Sequence, residues 1–236
     1  MSNLKDRQRS DRIHAMIYGE SGAGKTHLLG TFPNPYILDT DYGLACLTGK
    51  DIDYDEFYTT LEDPDAKERW PALLETVEDF VANPTHETLA VDSLTTVCDV
   101  VVVHVLAKNR RVSLQLQDYN DIFNELTKLL VRLRRCPTHA ILTAHEETIR
   151  DEFTGKLSIR PMAIGQAFPK KLPVFFNNIF CALVDAPRRS SADTQPVRSL
   201  LVTSDGTRIA KTQAANDDTR ISKSFEAITE HFNKVE

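Results

Sequence analysis

The 236-residue sequence is poor in cysteine and has no long apolar run. Its four cysteines, Cys46, Cys98, Cys136 and Cys181, are scattered without a C-x-x-C spacing. That excludes a disulfide framework and a zinc-ribbon arrangement, and it fits buried thiols in a reducing cytoplasm. No apolar stretch approaches the roughly 20 residues of a membrane-spanning helix, and Met1 to Arg12 is polar where a secretory leader would be apolar. A cytoplasmic chain with no membrane partner is therefore expected. Internal repeats and low-complexity tracts are also missing. Positive charge is in short supply, with 28 Lys and Arg against 34 Asp and Glu, a formal net charge of −6. This argues against a surface that is basic throughout. The deficit is uneven, however. Residues 39–92 hold 15 acidic and 3 basic side chains, whereas residues 104–135 hold 7 basic and 3 acidic ones. A polyanion would dock on the second stretch.

Two catalytic signatures are absent as well. His145-Glu146-Glu147 has Ile149 where a second histidine would complete H-E-x-x-H, so it is not a zinc motif. The only N-K-x-acid run, Asn233 to Glu236, ends the chain with no strand before it, which speaks against a GTPase.

What is present is Gly19-Glu20-Ser21-Gly22-Ala23-Gly24-Lys25-Thr26, which meets the phosphate-loop pattern G-x-x-x-x-G-K-[ST] at every required position. Its glycines permit φ > 0 and turn backbone N–H groups inward as a cradle for phosphate oxygens. A helix opening at Lys25 adds the positive end of its dipole. Lys25 is expected to reach the β- and γ-phosphates, and the Thr26 hydroxyl to ligate Mg²⁺. The apolar run Ile13 to Tyr18 reads as the strand that feeds the loop. The motif thus predicts a bound nucleoside triphosphate.

Residues 1–11 read as a flexible arm and 12–236 as a single α/β domain with a mainly parallel sheet and helices on both faces. Further strands are expected at Tyr36–Asp39, Leu89–Asp92, His139–His145 and within Phe175–Asp185, with another near Glu56–Thr59. Helices are expected from about Asp65 to Asn83, over the amphipathic stretch Asp118–Arg135, and at Lys223–Val235. The valine-rich Thr95–Lys108 reads as helix or as strand. Glu146–Gly165 suggests a hairpin or mobile loop. Val197–Thr203 is expected to pair with Arg208–Lys211 across the turn Ser204-Asp205-Gly206, giving an antiparallel C-terminal extension.

Several strand ends carry polar groups. Asp92 is the natural acid for the Mg²⁺ shell, although an Asp-Ser helix cap is the simpler reading. Asp39 and Asp41 share one side of a strand, and Asp41, lying further out, is the preferred base for the attacking water; a turn-forming aspartate is the alternative. His145 ends the fourth strand, where it would sense the γ-phosphate and pass the signal to the loop that follows, or else be merely hydrogen-bonded.

Taken in order after GESGAGKT, Ile37-Leu38-Asp39-Thr40-Asp41, Leu89-Ala90-Val91-Asp92-Ser93 and Leu142-Thr143-Ala144-His145 resemble the RecA-type ATPase core. More narrowly, "DTDYG", "VDSLT", "QDYNDIFNEL", "TAHEE" and "DGTRIAK" resemble phage nucleotide-binding proteins of the RecA-core single-strand annealing type, over about residues 12 to 213. The resemblance implies a homo-oligomeric ATPase, slow and stimulated by DNA, that uses ATP and Mg²⁺, binds single-stranded DNA and promotes annealing or recombination. A single-strand-binding protein is a further candidate partner. It also implies that Asp41 takes the place of a catalytic glutamate, one methylene longer, and His145 that of a glutamine sensor. Lys211 would then act in trans on a neighbouring subunit's nucleotide, and the segment after His145 would be a DNA-binding loop. Lys108, Arg110 and Arg111 in the linker, and Arg150, Lys156 and Arg160 in that loop, are candidate phosphate contacts, with Phe153 a stacking face; a solvated surface is the alternative. An ATPase that remodels or loads a protein partner, without direct DNA binding, is the competing function.

Overall fold

The computed structural model describes residues 12–60, 62–63, 65–185 and 196–234. The expected N-terminal arm, residues 1–11, lies outside them. Strand β1 (His14–Gly19) shows why the domain has layers. Met16 and Tyr18 face one side of the sheet, Ala15 and Ile17 the other, and all four are fully buried. A strand apolar on both faces needs cover on both. On the Met16 side the cover is α2 (Ala66–Ala82), α3 (Leu94–Lys108), α4 (Asp118–Arg135) and α5 (Phe168–Phe175). On the Ala15 side it is α1 (Lys25–Leu29) and α6 (Phe225–Asn233).

β1 lies between β5 (His139–Arg150) and β7 (Asn178–Asp185), parallel to both. The parallel sheet continues from β5 through β4 (Thr88–Asp92) and β2 (Pro35–Asp39) to β3 (Asp53–Glu56). Past β7, strands β8 (Val197–Leu201) and β9 (Arg220–Ser222) add an antiparallel extension. β6 (Leu157–Pro161) folds back on the outer half of β5 as a hairpin. This is the RecA-like α/β architecture that the motifs imply.

Valine-rich α3 settles as a helix because burial overrides its weak intrinsic preference. Val97, Val100, Val101, Val103 and Val105 are all buried, and α3 packs against α2, α4 and β5. Helix α2 tolerates Pro71 through a substitute bond. The missing amide would have reached the Lys67 carbonyl, and His104 Nδ1 donates to that oxygen instead, at 3.0 Å.

One pairing differs from expectation. Arg208–Lys211 does not pair with β8. Its backbone bridges at Ile159–Arg208 and Ile179–Lys211, against β6 and β7, and β8 takes β9 as its outer neighbour. The Ser204–Gly206 turn does form, with Asp205 Oδ1 accepting the amides of Thr207 and Arg208. It sends the chain across to another edge, where main-chain donors of β6 and β7 remained to be met.

Candidate functional site

The sheet register gathers the polar strand ends at one place. Gly19 of β1 is level with His145 of β5, and Asp39 of β2 is level with Asp92 of β4. A cleft of about 1000 Å³ opens there, lined by the phosphate loop together with Asp41, Asp92, Thr96 and His145. Gly22 and Gly24 hold φ of 77° and 82°, the left-handed conformation the cradle needs. Lys25 is buried, and its Nζ donates to the carbonyls of Gly19 (3.0 Å) and Glu20 (2.9 Å). Burial lowers its pKa, against the opposing pull of Asp92 and Asp41.

Thr26 Oγ1 donates to Asp92 Oδ2 at 2.6 Å, and Thr143 Oγ1 donates to Asp92 Oδ1. Asp92 is 1% exposed, and burial raises its pKa despite those two hydroxyls. The donor set suits Mg²⁺. It offers hard oxygens from one hydroxyl and one carboxylate, and a buried carboxylate bonded only to neutral groups gains from a cation. Among the described residues no group of three or more His, Cys, Asp or Glu is placed to hold a metal ion. Thr26 and Asp92 are the residues that would hold such an ion.

The two aspartates at the end of β2 and just past it part company. Asp39 accepts the amides of Asp41 (2.9 Å) and Gly43 (3.4 Å), so its carboxylate shapes the turn. Asp41 points into the cleft, where it accepts from the hydroxyls of Thr96 and Ser93 (3.2 Å) and lies 3.4 Å from His145 Nε2. Burial pushes its pKa up, but the donors from His145, Thr96 and Ser93 outweigh this and hold it below the usual carboxylate value. Asp41 is thus an ionised acceptor at neutral pH. His145 is fastened from behind: its amide donates to Thr95 Oγ1 (3.0 Å) at the start of α3, and its carbonyl accepts from Met162 (2.8 Å).

A family model described as an AAA domain matches residues 11–212. The chain belongs to that AAA domain family. It is a P-loop NTPase by motif and family, on the mainly parallel α/β sheet described above. Among solved structures the AAA domain is similar to a KaiC-like protein from Pyrococcus horikoshii, with 12% identity, a TM-score of 0.47, and coverage of 89% of this chain and 83% of that one. It is also similar to an ATPase from the type III secretion system of pathogenic bacteria, with 17% identity and a TM-score of 0.48; there it covers 72% of its own length and spans 52% of the other chain. No curated protein matches. Among the described residues, no helix of the AAA domain is long and apolar enough to cross a membrane.

The remaining sequence candidates separate. Lys211 is outside the cleft of its own AAA domain, with Nζ donating to the Pro173 carbonyl. Arg111 pairs with the buried carboxylate of Asp118, and Arg160, its side chain 9% exposed, pairs with Glu147 at 2.7 Å. Both arginines thus already hold a carboxylate partner within the fold. Lys108, the last residue of α3, and Arg110 beyond it are exposed, as are Arg150, Phe153 and Lys156 around the β5–β6 turn. Sequence reasoning missed two cations in the cleft. Arg198 of β8 donates to the Gly22 carbonyl (2.7 Å), and Lys223, just after β9, donates to the Ala23 carbonyl (2.9 Å). No local signal marks them, because they join the loop from 176 and 200 residues away in sequence.

Proposed function

We propose that this AAA domain hydrolyses ATP with Mg²⁺ and uses the cycle to grip and release single-stranded DNA, as an oligomer of the annealing or recombination type. Lys25 and the loop amides bind the β- and γ-phosphates, and Asp41 orients the attacking water and accepts its proton. Thr26 and Asp92 would hold a Mg²⁺ ion, which would supply positive charge next to the phosphates. Lys211 is assigned to a neighbouring subunit's nucleotide.

The observation that carries the reading is the continuity of β5. Its middle places His145 against Asp41 in the cleft, and the same strand runs without a break to Arg150. The turn that follows exposes Phe153, 99% accessible, between Arg150 and Lys156. A bare aromatic flanked by cations suits the alternating bases and phosphates of a single strand. A shift of His145 with the state of the γ-phosphate would be handed directly to that tip.

The test is ATP turnover with and without single-stranded DNA, at two salt concentrations, for wild type, Lys25→Ala and Phe153→Ala. Stimulation that needs Lys25 and Phe153 and weakens with salt supports the reading. Turnover indifferent to DNA, with no DNA binding at low salt, refutes it.

A protein partner is the second reading, favoured by the β3 edge of the sheet. There, β3 exposes Asp53, Tyr54, Asp55 and Glu56, and Tyr42 and Tyr58 pair nearby with ring centroids 4.7 Å apart. Acidic and aromatic, this surface repels DNA and suits a basic protein surface. Nucleotide-dependent, nuclease-insensitive capture of a protein would favour it.

A further inference from the structure

We propose that Arg198 and Lys223 are phosphate-binding residues of the nucleotide site, so that the C-terminal extension supplies two cations in cis to the loop that carries Lys25. The inference rests on nucleotide binding at that loop and adds residues to it. Three observations carry it.

First, both cations sit on the cradle itself. A β-carbon at Gly24 would overlap Lys223 Nζ and lie 3.2 Å from Arg198 Nη1, so the two charges stand directly over the loop glycine. Second, each has donors to spare. Among the described residues, Lys223 spends one hydrogen bond on Ala23 and Arg198 one on Gly22. An ammonium offers three donors and a guanidinium five, and a phosphate oxygen is the stronger, charge-assisted acceptor.

Third, Lys223 is held in place. The next residue, Ser224, caps α6 by accepting the Ala227 amide at 3.1 Å. The Phe225 amide donates to Thr31 Oγ1 at 3.0 Å, just past α1, and the Phe225 ring packs on Phe32 with centroids 5.0 Å apart. The segment is thus pinned to the same helix that opens at Lys25, and little freedom remains to be lost when phosphate arrives. Two cations gathered beside Lys25 repel one another and gain from a polyanion between them. Lys211, by contrast, is turned to Pro173 in its own chain, so the extra positive charge at this cleft comes from β8 and the segment after β9.

The test is equilibrium binding of ATP, ADP and AMP to wild type, Lys25→Ala, Lys223→Ala, Lys223→Arg and Arg198→Ala, with thermal melting of each variant without nucleotide. Expected is a loss of ATP affinity of about tenfold or more for Lys223→Ala and Arg198→Ala, the scale of one charge-assisted contact. The loss should shrink from ATP to AMP, recover in Lys223→Arg, and leave melting near wild type. Wild type and Lys223→Ala binding ATP equally, while Lys25→Ala fails, overturns this inference alone. A wild type that binds no nucleotide overturns the nucleotide reading with it. An affinity loss equal for all three nucleotides, or one that tracks lowered melting and is not rescued by arginine, assigns Lys223 a structural role and also overturns it.

Discussion

Replacing loop glycines by alanine separates what the backbone conformation requires from what the C-terminal cations occupy. Gly22 and Gly24 have nearly equal φ, 77° and 82°, and an L-residue there costs about 1–2 kcal/mol. Alanine also restricts the unfolded chain, which returns roughly 0.4–1 kcal/mol. Each substitution should therefore destabilise by about 0.5–1.5 kcal/mol, or some 2–4 °C per kcal/mol in a domain of this size. Their surroundings differ, however. Nothing lies within 4 Å of a β-carbon at Gly22, whereas one at Gly24 displaces Lys223 and crowds Arg198. Because those are the ends of flexible side chains, they can swing aside at little cost to folding. The two variants should unfold at similar urea concentrations, but Gly24→Ala should bind ATP about tenfold more weakly than Gly22→Ala, a further 1.4 kcal/mol or so. In a Lys223→Ala background most of that excess should disappear, as a double-mutant cycle reads directly. Equal affinities in the wild-type background, or an excess that persists without Lys223, would refute the reasoning. Gly19→Ala serves as a reference for a contact that cannot yield. Its β-carbon would sit 2.5 Å from the Ala182 carbonyl oxygen in the neighbouring strand, and a loss of about 1–3 kcal/mol is expected in the same unfolding assay.

Asp41→Asn should keep ATP affinity but slow single-turnover hydrolysis by about 10² or more, since the amide cannot take the proton; wild-type turnover would remove Asp41 from the mechanism. Lys223 carries a pKa lowered to about 8 by burial, with Arg198 and Lys25 beside it and Cys46 opposing. Because the charged form binds phosphate, ATP affinity should be flat below pH 8 and fall as pH rises beyond it, and Lys223→Arg should abolish that fall. A wild-type profile that matches the arginine variant from pH 7 to 9.5 would contradict this. Phe153→Ala should leave melting unchanged, because the ring is 99% exposed, while weakening single-stranded DNA binding by about 1–3 kcal/mol in a titration at fixed salt. An unchanged titration would take Phe153 out of the interface.

Much of the fold is legible because its central strands are buried on both faces. Met16, Ile17, Leu38, Val91 and Leu142 stand in continuous apolar runs that end on polar residues, which marks both the strand and the edge where chemistry gathers. The phosphate loop is legible because its spacing is set by the ligand rather than by packing. Illegible parts are those where partner choice is tertiary. The alternation in Arg208–Lys211 marks an extended segment but does not say whether β8, β6 or β7 receives it. Helix α5 is masked by its two prolines, Pro169 and Pro173, although Pro169 falls in the first turn where a missing amide costs nothing. The three residues of β9 are too few to show a period, and with them goes the placement of Lys223. Asp39 and Asp41 show the limit at a single residue: identical in type and two apart, they divide into turn-former and cleft acceptor only once the amides of Asp41 and Gly43 are placed.

The open sheet also has two rims, and they bear on how the protein behaves when concentrated. Among the described residues nothing pairs with the outer side of β3 or of β9. Such rims invite strand-to-strand stacking between molecules. Here one rim is four residues long with three carboxylates, and the other only three residues long, beginning with Arg220. Like charges meeting along β3, and too few amides along β9, give fibrous self-association little to build on. Neutralising Asp53, Asp55 and Glu56 would remove the first barrier, and crowded solutions of that variant would be the first to turn turbid.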